Sequence, residues 1–169
     1  MLETLKRYAL RILNFCLIAA VALLVVDVLL GVASRYLWGA QIKWTEELAT
    51  VTLIWVSFLG IAAAFEARAH LGIDLVTDRF TPGMQRKTAL FIHIVTLLFV
   101  FIVFEIGGVK LVVQAIHHWN VLPALQVSDV IQYLPLPVSG LFILLFEVCS
   151  LRNDLVPQPE TNAKEVRHD

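Results

Sequence analysis

Few residues capable of acid–base, ligating or ion-binding chemistry fall inside the apolar runs of this chain, and those few need a reason to be there. Asp27 lies within a run from Ile12 to Ala33 that is otherwise polar only at Asn14. A carboxyl in such a run is costly unless it faces protein or water. It is therefore either a coupling-ion or proton site, or a carboxyl satisfied within a helix contact. The contact is favoured, because a lone carboxylate lacks the several oxygens that a sodium ion takes. His70 and His93 bracket another stretch and could lie at similar depth, the geometry of a bis-histidine haem. Interfacial histidines are the plainer account. His117 and His118 have no matching histidine on the other runs. Cys16 and Cys149 are far apart, and neither a disulfide framework nor a metal cluster follows from them. There is no P-loop, nucleophile elbow or zinc spacing, so the chain reads as a non-enzyme.

The composition says what positions these residues. Of 169 residues, 59% are apolar and 16% charged, and mean hydropathy is +0.78. Soluble domains run near half apolar and a quarter charged. The net charge of −1 excludes a basic nucleic-acid binder. An all-α integral membrane protein is predicted, with a four-helix membrane domain over 1–152 and a polar, disordered tail over 153–169. The spans fall at about 12–35, 45–66, 86–110 and 129–149. The last is the weakest, because Pro135 and Pro137 each remove a backbone donor. The first resembles a cleavable signal at Ala20-Val21-Ala22, but its apolar run continues too far, and it reads as a retained helix. With both termini inside, ten of the 13 lysines and arginines lie on the cytoplasmic side, as the positive-inside rule requires.

One or two amphipathic surface helices join the four spans. Residues 1–11 suit a helix lying in the inner interface before the chain turns in, and residues 73–80 suit a second. Thr81 and Pro82 read as the cap and first residue of the third span. Trp38, Trp44 and Trp119 suit an aromatic belt.

Polar residues pattern the first two spans. Asp27, Gly31, Ser34 and Arg35 share one side of the first. Glu46, Thr50, Ser57, Gly60 and Ala64 form a stripe on the second, whose small residues permit close helix approach. The short connection predicts an ion pair of Arg35 with Glu46 or Glu47. Asp27 lies two turns below Arg35, about 12 Å, level with the donors Trp55 and Ser57; Asp27 and Ser57 are the expected buried polar pair. Trp44, Glu47, Val51, Trp55, Phe58 and Phe65 share a second face, expected against another membrane protein or lipid. Glu105, Lys110 and Glu147 are expected to snorkel.

The order Arg35-Tyr36, Trp44-Thr-Glu46-Glu47-Leu48, Trp55, Phe58-Leu59-Gly60, His70-Leu-Gly-Ile-Asp74 and Leu134-Pro135-Leu136-Pro137 resembles the small membrane subunit of tripartite ATP-independent periplasmic (TRAP) transporters, over about residues 10 to 148. The resemblance implies a multi-pass protein of the bacterial inner membrane, with a large multi-spanning membrane subunit and a periplasmic substrate-binding protein as partners. It implies uptake of organic acids, such as dicarboxylates or sialic acids, driven by a sodium gradient. Substrate and sodium sites would belong to the large, elevator-type subunit, leaving this chain without cofactor as an auxiliary scaffold that anchors and enlarges the stationary part. Its outer loops, 38–47 and 117–128, are candidates to touch the docked binding protein. Two other readings compete: a haem-bearing membrane anchor of a redox complex using His70 and His93, and a small homodimeric exporter using Asp27.

Overall fold

The computed structural model describes residues 2–40, 42–69 and 82–155. Its elements are α1 (Leu2–Trp38), α2 (Lys43–Ala69), α3 (Pro82–Val100), a π-helical segment (Phe101–Gly107), α4 (Gly108–His118), the short α5 (Val130–Tyr133) and α6 (Pro135–Leu155). No strand forms among the described residues, and four stretches are long and apolar enough to cross a membrane: Thr4–Leu37, Lys43–Ala67, Lys87–His118 and Val130–Arg152. The expected second surface helix over 73–80, Thr81, His70, Asp74 and residues 156–169 lie outside the described residues.

The first helix departs from expectation. Its 37 residues are one α-helix from Leu2 onward, with no break before the span. Such a helix is about 55 Å long, well beyond the roughly 30 Å hydrocarbon core. The N-terminal turns do not lie apart on the surface. Lys6 is buried and pairs with Glu66 at the far end of α2, 3.3 Å away. Ala9 and Leu13 join the core beside it. Packing against α2 keeps the helix going where amphipathicity alone suggested a turn.

The core is a seam where the spans meet. Leu13, Leu59, Ala62, Val100, Ile143 and Phe146 are buried in it. Phe104 adds an edge-to-face contact with Phe58, centroids 6.2 Å apart. Large apolar side chains such as Phe15, Ile18, Phe91 and Leu98 point outward. An exterior this apolar is compatible with lipid rather than water.

The fourth span, weakest in sequence, is the most enclosed: 44% of its apolar stretch is buried, against 11% for the first. The prolines explain why they do no harm. Pro135 is the first residue of α6 and Pro137 lies in its first turn, where helix N–H groups have no intrahelical partner anyway.

Two glycines permit the closest approach. A Cβ at Gly140 of α6 would lie 2.7 Å from the Phe104 Cβ, and one at Gly108 would lie 2.9 Å from the Pro137 Cδ. The π-helical segment thus rests backbone-close on α6. Gly60 of α2 faces open space. Gly140→Ala should therefore lower stability by about 1–3 kcal/mol, as overpacking does, seen as a lower thermal midpoint of the purified chain in detergent. Gly60→Ala should leave that midpoint unchanged or raise it, since alanine is the better helix former.

Candidate functional site

Polar side chains gather where α1 ends and α2 begins, because a short turn makes these helices antiparallel neighbours. Gly39 follows α1 with φ at +70°, the left-handed conformation that ends many helices. The Ser34 hydroxyl donates to the Gly31 carbonyl at 2.8 Å and accepts from the Ile42 N–H at 3.4 Å. The Thr45 hydroxyl donates to the Ile42 carbonyl, 2.8 Å away. Below this turn the helices leave a groove of about 370 Å³, lined by Asp27, Val28, Gly31, Val32, Arg35, Thr45, Glu46, Ala49 and Thr50. Asp27 is 2% exposed.

Glu47 points elsewhere. One carboxylate oxygen accepts from the Ala124 and Leu125 N–H groups at 3.0 and 2.9 Å, and the other from Ala124 at 3.0 Å. These amides lie in the loop between α4 and α5, a small hairpin closed by Leu122 N–H to Val127 O and Asp129 N–H to Asn120 O. The Trp55 indole N–H donates to the Ile131 carbonyl of α5 at 3.0 Å. One face of α2 therefore holds the outer loop and the start of the fourth span.

This reverses the expected assignment of the α2 faces. Val51 is buried, while Trp55, Phe58 and Phe65 are half-buried and face inward; Trp44 is exposed. The stripe of Glu46, Thr50, Ser57 and Ala64 is exposed, with Gly60 half-buried and open beside it. Trp55 reaches Ile131 of α5 and Phe58 packs edge-to-face on Phe104, so the large aromatics serve the chain's own packing.

Four further expectations are corrected. Arg35 forms no ion pair with Glu46 or Glu47 among the described residues; it and Glu46 are exposed at the groove, and Glu47 is committed to the loop. Ser57 is exposed, not buried, and its hydroxyl donates to the Leu53 carbonyl at 2.7 Å. Asp27 is not satisfied by Trp55 or Ser57: neither carboxyl oxygen has a hydrogen-bond partner among the described residues. Glu147 does not snorkel; it is buried with His93, whose Nδ1 lies 2.7 Å from its Oε1. Glu105 likewise turns inward toward Gly140, one oxygen buried without a partner, whereas Lys110 is exposed.

Two polar contacts between helices escaped the sequence reading, and depth was the signal for both. His93 near the start of the third span and Glu147 near the end of the fourth share a level. So do Lys6 and Glu66 on α1 and α2. The haem reading also called on His70, which lies outside the described residues.

A small helical membrane protein that spends several of its polar side chains on its own assembly is the class this arrangement defines. Comparison with known proteins makes it specific. Residues 24–156 match the family described as tripartite ATP-independent periplasmic transporters, DctQ component. The chain belongs to that family, whose members are transporter subunits and not enzymes. Together with the four apolar helices, this makes it a multi-pass protein of the bacterial inner membrane.

Relatives include an isethionate TRAP transporter permease protein, DctMQ, of Oleidesulfovibrio alaskensis, 30% identical over 60% of this chain and 16% of that protein. A Haemophilus influenzae protein named as a TRAP transporter small permease is 29% identical over 50% of this chain and 53% of its own length. The sialic acid TRAP transporter permease protein SiaT of Haemophilus influenzae is 27% identical over 45% of this chain and 12% of that protein. The matched region thus spans about half of one relative and a small part of the other two.

The Glu47 contacts yield a test. Glu47→Ala leaves two loop amides unpaired, at a cost of about 2 kcal/mol for hydrogen bonds to a charged group. Limited proteolysis of the chain in detergent should then cut faster between Asn120 and Asp129. Glu46→Ala should cut at the wild-type rate, because that side chain is exposed.

Proposed function

We propose that this chain is the auxiliary scaffold of a sodium-driven importer of organic acids, held against a large membrane subunit served by a periplasmic binding protein. The observation that carries this reading is the uncovered face of α2. Thr50, Ser57, Gly60 and Ala64 are a poor surface to offer lipid and a good one for close helix packing. The relatives agree. In two of them the region similar to this chain is only 16% and 12% of a permease polypeptide, as expected if it works beside a much larger membrane part.

Their names concern isethionate and sialic acid, both organic acids, and this supports the substrate class. The spans carry few polar groups, too few to line a translocation path, so substrate and sodium sites are assigned to the large subunit. An elevator-type subunit needs a fixed body to move against. Four spans would widen that body and hold it at a set depth. Both termini are placed in the cytoplasm by the lysine and arginine distribution, leaving the loop capped by Glu47 on the periplasmic side, where the binding protein docks.

A mild-detergent pull-down of the tagged chain from its native membrane, followed by mass spectrometry, should recover a large multi-spanning permease in near-equal amount. Recovery of the chain alone, or with a soluble dehydrogenase, overturns the reading. Vesicles holding the recovered complex should take up organic acid only under an inward sodium gradient.

A further inference from the structure

We propose that the groove between α1 and α2 receives a membrane helix of the large subunit bearing one basic side chain, and that this side chain pairs with Asp27. The inference rests on the auxiliary-subunit reading and names the contact that reading requires.

Asp27 is 2% exposed, and neither carboxyl oxygen has a hydrogen-bond partner among the described residues. The hydroxyls around it are already used. Ser34 donates to the Gly31 carbonyl, Thr45 to the Ile42 carbonyl and Thr50 to the Glu46 carbonyl, each at 2.8 Å. Arg35 lies two helical turns higher, about 12 Å along the axis, beyond the reach of one side chain. The carboxyl therefore lines an open groove with no donor among the described residues, and a buried polar group left so is costly.

Charge and depth select the occupant. Asp27, Glu46 and Arg35 are the ionisable groups lining the groove, which leaves one negative charge for a single cation to balance. Asp27 precedes the end of α1 by eleven residues, about 16 Å, near the middle of the hydrocarbon core. A lipid headgroup stays at the interface and does not reach that level. A lysine or arginine on a neighbouring helix does. Gly31, Ala49 and the small-residue stripe of α2 leave room for such a helix to come close.

The test uses cells producing the complete transporter, with a photo-crosslinking residue at Val28 or Val32 on the groove rim and at Phe91 on α3 as control. The groove positions should cross-link to the large subunit, on a peptide with a lysine or arginine inside a spanning helix, and Phe91 should not. Asp27→Asn and Asp27→Leu should each lower recovery of the large subunit about tenfold or more, as loss of one member of a buried charge pair does. The same variants, purified alone, should melt no lower than wild type, since they remove an unpaired carboxyl. Asp27→Lys combined with an acidic residue at the cross-linked basic position should restore recovery.

Wild-type recovery with both variants overturns the inference, as do cross-links to a second copy of this chain or only to lipid. Intact assembly with lost sodium dependence would instead make Asp27 an ion site, which also overturns it. If the wild-type chain recovers no large permease, the auxiliary-subunit reading itself fails.

Discussion

A polar group in hydrocarbon has no water to turn to, and this constraint arranges most of what distinguishes the fold from four apolar cylinders. Glu47 binds the outer loop through its Ala124 and Leu125 amides. Trp55 holds the start of the fourth span through Ile131. His93 with Glu147 and Lys6 with Glu66 tie helix pairs near their inner ends. Each contact pairs a polar group within the chain and, in doing so, fixes which elements are neighbours. The apolar seam around Leu13, Leu59, Ile143 and Phe146 supplies dense packing, but apolar side chains alone do not choose a register in a solvent as apolar as themselves.

The groups that break this rule are informative for the same reason. Asp27 and one oxygen of Glu105 are buried without partners among the described residues. Two such groups in so small a bundle suggest a body built to be completed. Asp27 opens onto a groove, and the adjoining α2 stripe of polar and small residues faces away from the chain's own core. Membership of a transporter family whose relatives include far longer permease polypeptides fits that picture.

Much of this was legible before any coordinates. Apolar length identified four spans, and the order of Arg35, Glu46-Glu47, Gly60 and Leu134-Pro135-Leu136-Pro137 pointed to the family that the comparison found. The polar stripe on α2 and the aromatic face beside it were both drawn correctly as faces. Their directions were exchanged, because helical spacing says which residues share a side and not what that side meets. Glu47 looked like a partner for Arg35 by depth. The loop that takes it is 77 residues away in sequence, and no local pattern reports a contact of that kind.

The sequence by itself determined the solvent, the number of spans and the family, because hydrophobic length and motif order are properties of the chain read in one dimension. Only the tertiary structure decided which polar groups are satisfied. The continuity of α1, the burial of Glu147 against His93, the harmless placing of Pro135 and Pro137, and the unpartnered Asp27 all depend on which helix stands beside which. That choice is made by side-chain volume and hydrogen-bond reach across helices.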